Sequence, residues 1–219
     1  MNLNNLKYSI IIILIATSLY KGNKNSYQYF SDQKCPISRA KDITLKKTNY
    51  YIVGNFEGKG EDTIFFHYYS HRLKKEINQI PSPDNDWEDI IVWFTNFQIE
   101  TFFSYKKDTL KIGVAYGLHC LLNIGDINSD GKDEVAFVVD WLDYSRLNSC
   151  NIYTICQSQF YLLKTFTINE YVFDSPISDT KDSQIGINVF LKKKESVWYY
   201  CCYDEDFPVM KPLSLDKCH

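Results

Sequence analysis

Short runs of β-branched and aromatic residues recur along this chain, and turn-forming residues separate them. This pattern is typical of antiparallel strands joined by tight turns. A sustained helical period is absent, with a weak one at 71–77. The proline-containing segment 80–89 predicts a loop with one helical turn around Trp87. We therefore expect an all-β, antiparallel domain. Its predicted strands lie near residues 49–54, 63–69, 90–95, 99–105, 109–114, 118–124, 134–141, 151–156, 159–167, 185–191 and 196–203.

The N-terminus carries the features of a secretory signal peptide. Lys7 precedes an apolar run from Tyr8 to Leu19, which contains the small residues Ala16-Thr17-Ser18 near its end. The run is short for a bilayer core of ~30 Å. We therefore expect residues 1–20 to be a signal peptide, with membrane contact only if it stays uncleaved. Residues 21–40 are predicted to be a polar lead and 41–219 a single domain, exported to the periplasm, cell envelope or extracellular space.

Composition and motifs exclude several classes of function. The net charge of −3 gives no basic surface of the kind that binds nucleic acid. The sequence has no GxSxG, no HExxH, no phosphate-binding glycine loop and no CxxC pair, so it predicts no catalytic residue and no zinc site. His67 and His71 are too far apart along a predicted strand to share a metal. Three carboxylates near the prolines are interpreted as an ordinary acidic loop: Asp84, Asp86 and Asp89.

Seven cysteines in an exported chain predict disulfides, because oxidising compartments preserve them. The spacing of Cys150 and Cys156 would allow a local bridge. Cys201 and Cys202 are adjacent and should face opposite sides of a strand, so each would pair elsewhere. The odd number leaves at least one thiol free or intermolecular. The remaining candidates for long-range bridges are Cys35, Cys120 and Cys218.

The segment 125–134, GDINSDGKDE, has the ligand spacing of a calcium loop. Calcium takes 6 to 8 oxygen ligands, so a loop must offer carboxylates and carbonyls at alternate positions. Gly131 would supply the sharp turn. The alternative is a polar hairpin turn, since Asp, Asn, Ser and Gly are common turn formers. The predicted ligands, at positions 1, 3, 5, 7 and 9, are Asp126, Asn128, Asp130, Lys132 through its backbone carbonyl, and Glu134.

This loop is not predicted to be an EF-hand. An EF-hand needs a bidentate Glu at position 12 and a flanking helix on each side. Position 12 is Phe137, and the apolar run from Val135 to Val139 is typical of a buried strand. The sequence therefore predicts a strand–loop–strand cation site that closes at Glu134, with the side chain of Lys132 pointing to water.

The same pattern occurs earlier in the chain, in the segment 50–66. This segment aligns with 121–137, and the matches include Gly54 with Gly125 and Asn55 with Asp126. The earlier copy has Lys59 at position 5 and Thr63 at position 9, so we expect it to bind no metal. An ammonium group at the centre of that loop would replace the cation.

A calcium loop of this form, followed by an apolar strand and repeated within one chain, resembles the FG-GAP or VCBS type of repeat found in the propeller of integrin α chains. The resemblance covers about 17 residues twice. It implies calcium ligands at Asp126, Asn128, Asp130, Lys132 and Glu134, and an irregular or partial β-propeller-like fold. This chain has Asn128 and Glu134 where the family often has Asp, and we expect this difference to change the affinity for calcium rather than the existence of the site.

The functional hypotheses follow from the loop and from one aromatic cluster. Asp140-Trp141-Leu142-Asp143-Tyr144 places rings beside carboxylates, which suits contact with a protein or a carbohydrate; a buried tryptophan with capped loop aspartates is the alternative. The main hypothesis is an exported, calcium-stabilised β protein with a binding role and no catalysis. The alternatives are a periplasmic inhibitor of a secreted hydrolase such as lysozyme, and a hydrolase with loop-borne carboxylates.

Overall fold

The computed structural model describes residues 43–169, 173, 189–203 and 209–217. These residues belong to one compact unit, Ile43–His219. The predicted signal peptide, the polar lead, Cys35, Cys218 and most of the predicted strand 185–191 lie outside the described residues. Within the described ranges, no helix is both long enough and apolar enough to cross a membrane.

The described chain is built mainly from antiparallel strands, as the recurring apolar runs predict. A helix, α1 (Trp87–Phe97), lies between the fifth and sixth strands. In chain order the strands are β1 (Leu45–Lys47), β2 (Tyr50–Gly54), β3 (Asp62–Ser70), β4 (Lys75–Ile77), β5 (Gln79–Pro81), β6 (Ile99–Tyr105), β7 (Asp108–Gly113), β8 (Ala115–Gly125), β9 (Glu134–Trp141), β10 (Leu147–Cys156), β11 (Gln159–Asn169), β12 (Leu191–Lys194), β13 (Val197–Tyr200) and β14 (Lys211–Pro212).

The strands form three sheets and a small ribbon. The first sheet has the order β2-β3-β6-β7, with β4 beside β3, and the second sheet has the order β8-β9-β10-β11. The third sheet has the order β12-β13-β14, and β1 pairs with β5 as the ribbon. The second sheet is an antiparallel meander of four strands, and the first sheet has a similar four-strand path with β4 as a fifth strand at its side. Within the part of the chain that the structure describes, these sheets do not close into a barrel or a ring.

The internal match of 50–66 with 121–137 is reproduced in the strand pairing. In the first sheet Tyr50 pairs with Phe66 and Ile52 with Ile64. In the second sheet the equivalent positions pair in the same way, Leu121 with Phe137 and Asn123 with Val135. The first sheet differs because β4, β5 and α1 are inserted between its second and third strands, where the second sheet has only residues 142–146.

The second sheet is buried on both faces, and this explains the unbroken apolar run of β9. Side chains alternate along a strand. Phe137 and its alternate neighbours pack towards the first sheet, where the Phe137 and Phe103 ring centroids lie 4.6 Å apart. Ala136 and Val138 face the opposite way and join a separate core with Leu191 of the third sheet. The three sheets are therefore stacked layers with a hydrophobic core on each side of the middle one.

Two secondary-structure predictions between 71 and 98 are wrong. The predicted strand 90–95 is part of α1, which has Glu88 and Asp89 in its first turn, where they complement the helix dipole, and buries Ile90 and Phe94 one turn apart. The β-branched run at 90–92 concealed this helical spacing. The segment 71–77, which has a weak helical period in the sequence, is instead a turn followed by β4.

Two of the cysteine predictions are wrong, while Cys156 itself is disulfide-bonded. The thiols of Cys120 and Cys150 are free and buried, so neither a Cys150–Cys156 bridge nor a long-range bridge from Cys120 is formed. Six residues along an extended strand span about 20 Å, whereas a disulfide needs Cα atoms within about 7 Å. Cys120 and Cys150 both pair across β9 with Val138, so they flank that strand within the core between the second and third sheets.

Candidate functional site

The loop between β8 and β9 is folded around the carboxylate at its first position. Asp126 accepts hydrogen bonds from the backbone N–H groups of Asp130, at 3.0 Å, and Gly131, at 2.9 Å. The backbone of Ser129 and Gly131 is left-handed, with φ of 59° and 86°. Such φ values are uncommon for residues other than glycine, asparagine and aspartate. The chain therefore reverses tightly at the position where the sequence predicts a sharp turn.

The other predicted side-chain ligands also accept hydrogen bonds from loop N–H groups. Asn128 Oδ1 accepts from Asp130 N at 3.0 Å, and Asp130 Oδ1 accepts from Lys132 N at 3.0 Å. Glu134 Oε2 accepts from Ile127 N at 2.7 Å. Each contact uses one oxygen of the side chain, so the loop backbone fixes the orientation of all three groups.

Three carboxylates converge at this point. One oxygen from each of Asp126, Asp130 and Glu134 lies within 4.8 Å of the others. Glu134 is fully buried, and its Oε1, like Asp130 Oδ2, has no hydrogen-bond partner among the described residues. Burial, followed by the charges of Asp130 and Asp126, raises the pKa of Glu134 to about 7. Carboxylate and amide oxygens are the ligands that hard divalent cations prefer.

Lys132 does not point to water as the sequence predicts. Its side chain is 23% exposed, and Nζ lies 4.0 Å from Asp130 Oδ2 and 3.5 Å from the carbonyl oxygen of Ile155. This ammonium partly offsets the negative charge at the edge of the carboxylate cluster.

The earlier copy of the loop has the same backbone contact but no carboxylate at positions 1, 5 and 9. Gly60 N donates to Asn55 Oδ1 at 2.9 Å, which repeats the contact of Gly131 N with Asp126. Lys59 is exposed and not central as predicted. The nearby cation is Lys106 of the β6–β7 turn, whose Nζ lies 2.5 Å from Glu57 Oε2 and 3.3 Å from Asp62 Oδ2.

The two loops contact each other directly. Asn55 N donates to Asp133 Oδ2 at 2.9 Å, and Asp133 N donates to the carbonyl oxygen of Asn55 at 3.0 Å. Asn55 Nδ2 also donates to the carbonyl oxygen of Gly131 at 3.1 Å. Asp133 accepts a further hydrogen bond from Asn123 Nδ2 at 2.7 Å. The earlier loop is therefore a structural support for the acidic one.

The C-terminal segment covers the other side of the acidic loop. Asn128 Nδ2 donates to the carbonyl oxygen of Asp216 at 3.0 Å, and Lys217 Nζ donates to that of Ser129 at 2.8 Å. The amide nitrogen of Asn128 thus faces the C-terminal segment while Oδ1 stays with the loop. Nothing in the sequence indicated that Asp216 and Lys217 lie here, because these are long-range contacts without a motif.

A second feature is a cavity of about 450 Å³ beside α1, which we call the aromatic pocket. The predicted cluster contributes Asp140, Trp141, Asp143 and Tyr144 to it, so the expectation of rings beside carboxylates is realised there. The pocket also contains residues that the sequence did not single out, drawn from four separate segments. Its full lining is Pro83, Trp87, Ile90, Tyr116, His119, Asp140, Trp141, Asp143, Tyr144, Arg146 and Phe173.

The histidine of the aromatic pocket is uncharged at neutral pH. Burial lowers the pKa of His119 to about 4, although Asp140 Oδ1 lies 3.6 Å from its Nε2. The imidazole stacks on the ring of Phe173, with centroids 5.0 Å apart and planes at 5°. In this neutral form the imidazole of His119 carries one donor and one acceptor nitrogen.

A hydrogen-bonded Ser–His–Glu array lies on the outer face of the first sheet. His67 Nε2 is 2.7 Å from Ser104 Oγ, and His67 Nδ1 is 3.0 Å from Glu76 Oε2. His71 contacts a different carboxylate, Glu100, at 2.9 Å, so the two histidines do not share a site. Of the acids near the prolines, Asp84 accepts a hydrogen bond from Ser82 Oγ, Asp86 is the N-cap residue of α1, and Asp89 lies in its first turn.

Comparison with protein-family models, with curated proteins and with solved structures finds no match to this chain.

Proposed function

We propose that this protein binds one Ca²⁺ in the loop 125–134 and uses it to stabilise an exported β domain with a binding role. The ligands would be Asp126, Asn128, Asp130, the carbonyl of Lys132, and Glu134. Calcium supplies positive charge to oxygens that the loop already orients. The role is structural because the site joins β8, β9, the earlier loop and the C-terminal segment.

One observation carries this proposal: the fully buried Glu134 has an oxygen that finds no hydrogen-bond partner in the described part of the chain and lies beside two other carboxylates. A buried carboxylate is strongly unfavourable unless it is paired or coordinates a metal. Within the described part of the chain, the ammonium group that pairs with this cluster is that of Lys132, and it lies 4.0 Å from Asp130. A polar hairpin turn does not explain why a carboxylate is buried at position 9.

The repeated meander supports a propeller-like arrangement as part of the same proposal. A five-stranded and a four-stranded antiparallel sheet share a hairpin register and stack face to face, and a third sheet stacks on them. Blades of a propeller are sheets of this kind. The resemblance to FG-GAP or VCBS repeats adds the expectation that the acidic loop binds calcium.

Chelation tests the calcium proposal. The melting temperature of the full chain is measured with Ca²⁺ and with a chelator, for the wild type, Asp130→Ala and the matched control Glu61→Ala, an exposed acid in the earlier loop. Saturation to 100 times the dissociation constant stabilises by about 2.7 kcal/mol. We expect a calcium-dependent increase in the wild type and in the Glu61 variant, and almost none in the Asp130 variant. Equal melting curves with and without calcium would refute the proposal.

We place the binding role at the aromatic pocket, since its aromatic walls and few polar groups suit a ligand. A more specific version of this binding role is inhibition of a secreted hydrolase such as lysozyme. Mixing the full chain with lysozyme and measuring lytic activity tests that form, and unchanged lysis would exclude it for that enzyme.

A hydrolase is the second candidate, and the Ser104–His67–Glu76 array favours it. A nucleophile, a base and an orienting acid within hydrogen-bond reach form the usual arrangement for acyl transfer. It ranks lower because Ser104 lies inside a sheet strand rather than on a loop, with Phe65 of β3 opposite it on one side and Thr109 of β7 on the other. Labelling by a fluorophosphonate that disappears in Ser104→Ala would support it, and an unlabelled wild type would exclude it.

A further inference from the structure

The aromatic pocket has a wall of rings set at steep angles to one another. The Trp87 ring centroid lies 6.1 Å from that of Tyr116 and 6.5 Å from that of Tyr144, at interplanar angles of 63° and 69°. Tyr116 is 4% exposed and its hydroxyl donates to the carbonyl oxygen of Pro81, whereas Tyr144 is 74% exposed. The rings therefore extend from a fixed, buried floor to an open rim.

The polar groups of the pocket combine acceptors with donors. Asp140 and Asp143 supply carboxylates, Arg146 supplies a guanidinium group, and His119 adds a neutral imidazole. Asp143 Oδ1 accepts a hydrogen bond from Ser145 N at 2.9 Å, which fixes that carboxylate at the rim. With two acids and one base, the lining has a formal charge of −1 at neutral pH.

This mixture discriminates between classes of ligand. A cation would be attracted by the two carboxylates but repelled by Arg146, and an anion would be repelled by both carboxylates. A neutral ligand with several hydroxyl groups can donate to Asp140 and Asp143 and accept from Arg146 at the same time. Its apolar C–H face would lie against aromatic rings, whose faces are electron-rich.

From this complementarity we infer that the aromatic pocket binds a neutral saccharide, with a pyranose ring against Trp87 and Tyr144 and its hydroxyls towards Asp140, Asp143 and Arg146. The volume of about 450 Å³ lies within the range of small-ligand sites. This inference rests on the proposed binding role and names its ligand class. Trp87 belongs to the insertion in the first sheet, so the inserted helix would contribute the main contact surface.

The test is a titration of the full chain followed by tryptophan fluorescence and ligand-observed NMR. The probes are methyl glycosides of glucose, galactose, mannose and N-acetylglucosamine with their disaccharides, and choline and glucuronate represent charged ligands. We expect binding of at least one neutral glycoside at concentrations up to about 10 mM. Trp87→Ala and Tyr144→Ala should each weaken it about tenfold or more. The matched control, Tyr161→Ala, changes a tyrosine that is 54% exposed and outside the pocket.

Substitution of one carboxylate separates the ligand classes. Asp143→Asn keeps an acceptor at the rim, so affinity for a neutral glycoside should fall only about threefold, whereas a cation should lose about tenfold or more. The inference would be overturned if choline or glucuronate bound more tightly than every neutral glycoside, or if no neutral glycoside bound at all. Calcium-dependent melting is measured on the same preparations. If calcium stabilises the protein but no glycoside binds, the saccharide inference fails and the calcium proposal stands.

Discussion

Glu134→Gln should change stability in opposite directions with and without calcium. Glutamine keeps the shape of the side chain and the oxygen that accepts from Ile127 N, but it carries no charge. Its amide group can donate to Asp130 Oδ2, which has no hydrogen-bond partner among the described residues. Without calcium, the substitution therefore removes a buried charge and supplies a missing donor. With calcium, it removes a ligand.

The magnitude follows from the pKa of Glu134. This value is about 7 in the folded protein against an ordinary 4.5, so the folded state disfavours the ionised form. A carboxyl with a raised folded pKa contributes instability that begins above pH 4.5 and is fully present above pH 7. The difference of about 2.5 pH units corresponds to about 3 kcal/mol. We expect Glu134→Gln to be more stable than the wild type by up to this amount in chelator at pH 8.

The assay is urea unfolding at pH 8 and pH 5, each in chelator and in saturating calcium. At pH 5 the wild-type carboxyl is largely protonated, so the two proteins should differ little in chelator. In calcium at 1,000 times the dissociation constant and pH 8 the order should reverse, because calcium then stabilises the wild type alone by about 4.1 kcal/mol, which exceeds the advantage of about 3 kcal/mol that the variant has in chelator. A variant that is less stable than the wild type in chelator at pH 8 would refute the reasoning.

Two further predictions concern other parts of the domain. Asp133→Ala leaves the donors of Asn55 and Asn123 without their acceptor, so urea unfolding should show a free energy of unfolding that is lower by about 1–3 kcal/mol. Asp133→Asn keeps an acceptor oxygen and should lower it less; equal decreases in the two variants would contradict this. The lowered pKa of His119 means that its own contribution to stability should fall by up to about 3 kcal/mol as pH decreases from 6.5 towards 4, because the unfolded state takes up the proton first; this loss opposes the gain from Glu134 and is read from the difference between the wild type and His119→Gln. His119→Gln should lose less over that interval, and a loss equal to the wild type's would show that His119 is not responsible.

The elements that sequence reasoning located are those with local signals. The loop 125–134 carries its turn residues and its acids within one segment, and the strand after it is apolar because both of its faces are buried. The repeat of 50–66 at 121–137 is expressed in strand register as well as in sequence. Each of these features depends on residues close together in the chain.

The features that were missed depend on residues far apart in sequence. The aromatic pocket combines Trp87 from α1, Tyr116 and His119 from β8, and Arg146 from a loop, and no spacing connects them. The helix itself was concealed because Ile90, Ile91 and Val92 favour a strand, while burial of Ile90 and Phe94 against the core selects the helix. Propensity is a weak signal when tertiary contacts decide the conformation.

The second sheet has a consequence for how the molecule unfolds. Because β9 contributes side chains to the cores on both of its faces, neither outer sheet can separate without exposing one side of it. The three layers should therefore lose their structure as one cooperative unit rather than sheet by sheet. Amide hydrogens of β9 should exchange only through global opening. An ion held at the end of this strand would then slow exchange throughout the domain, far beyond the loop that holds it.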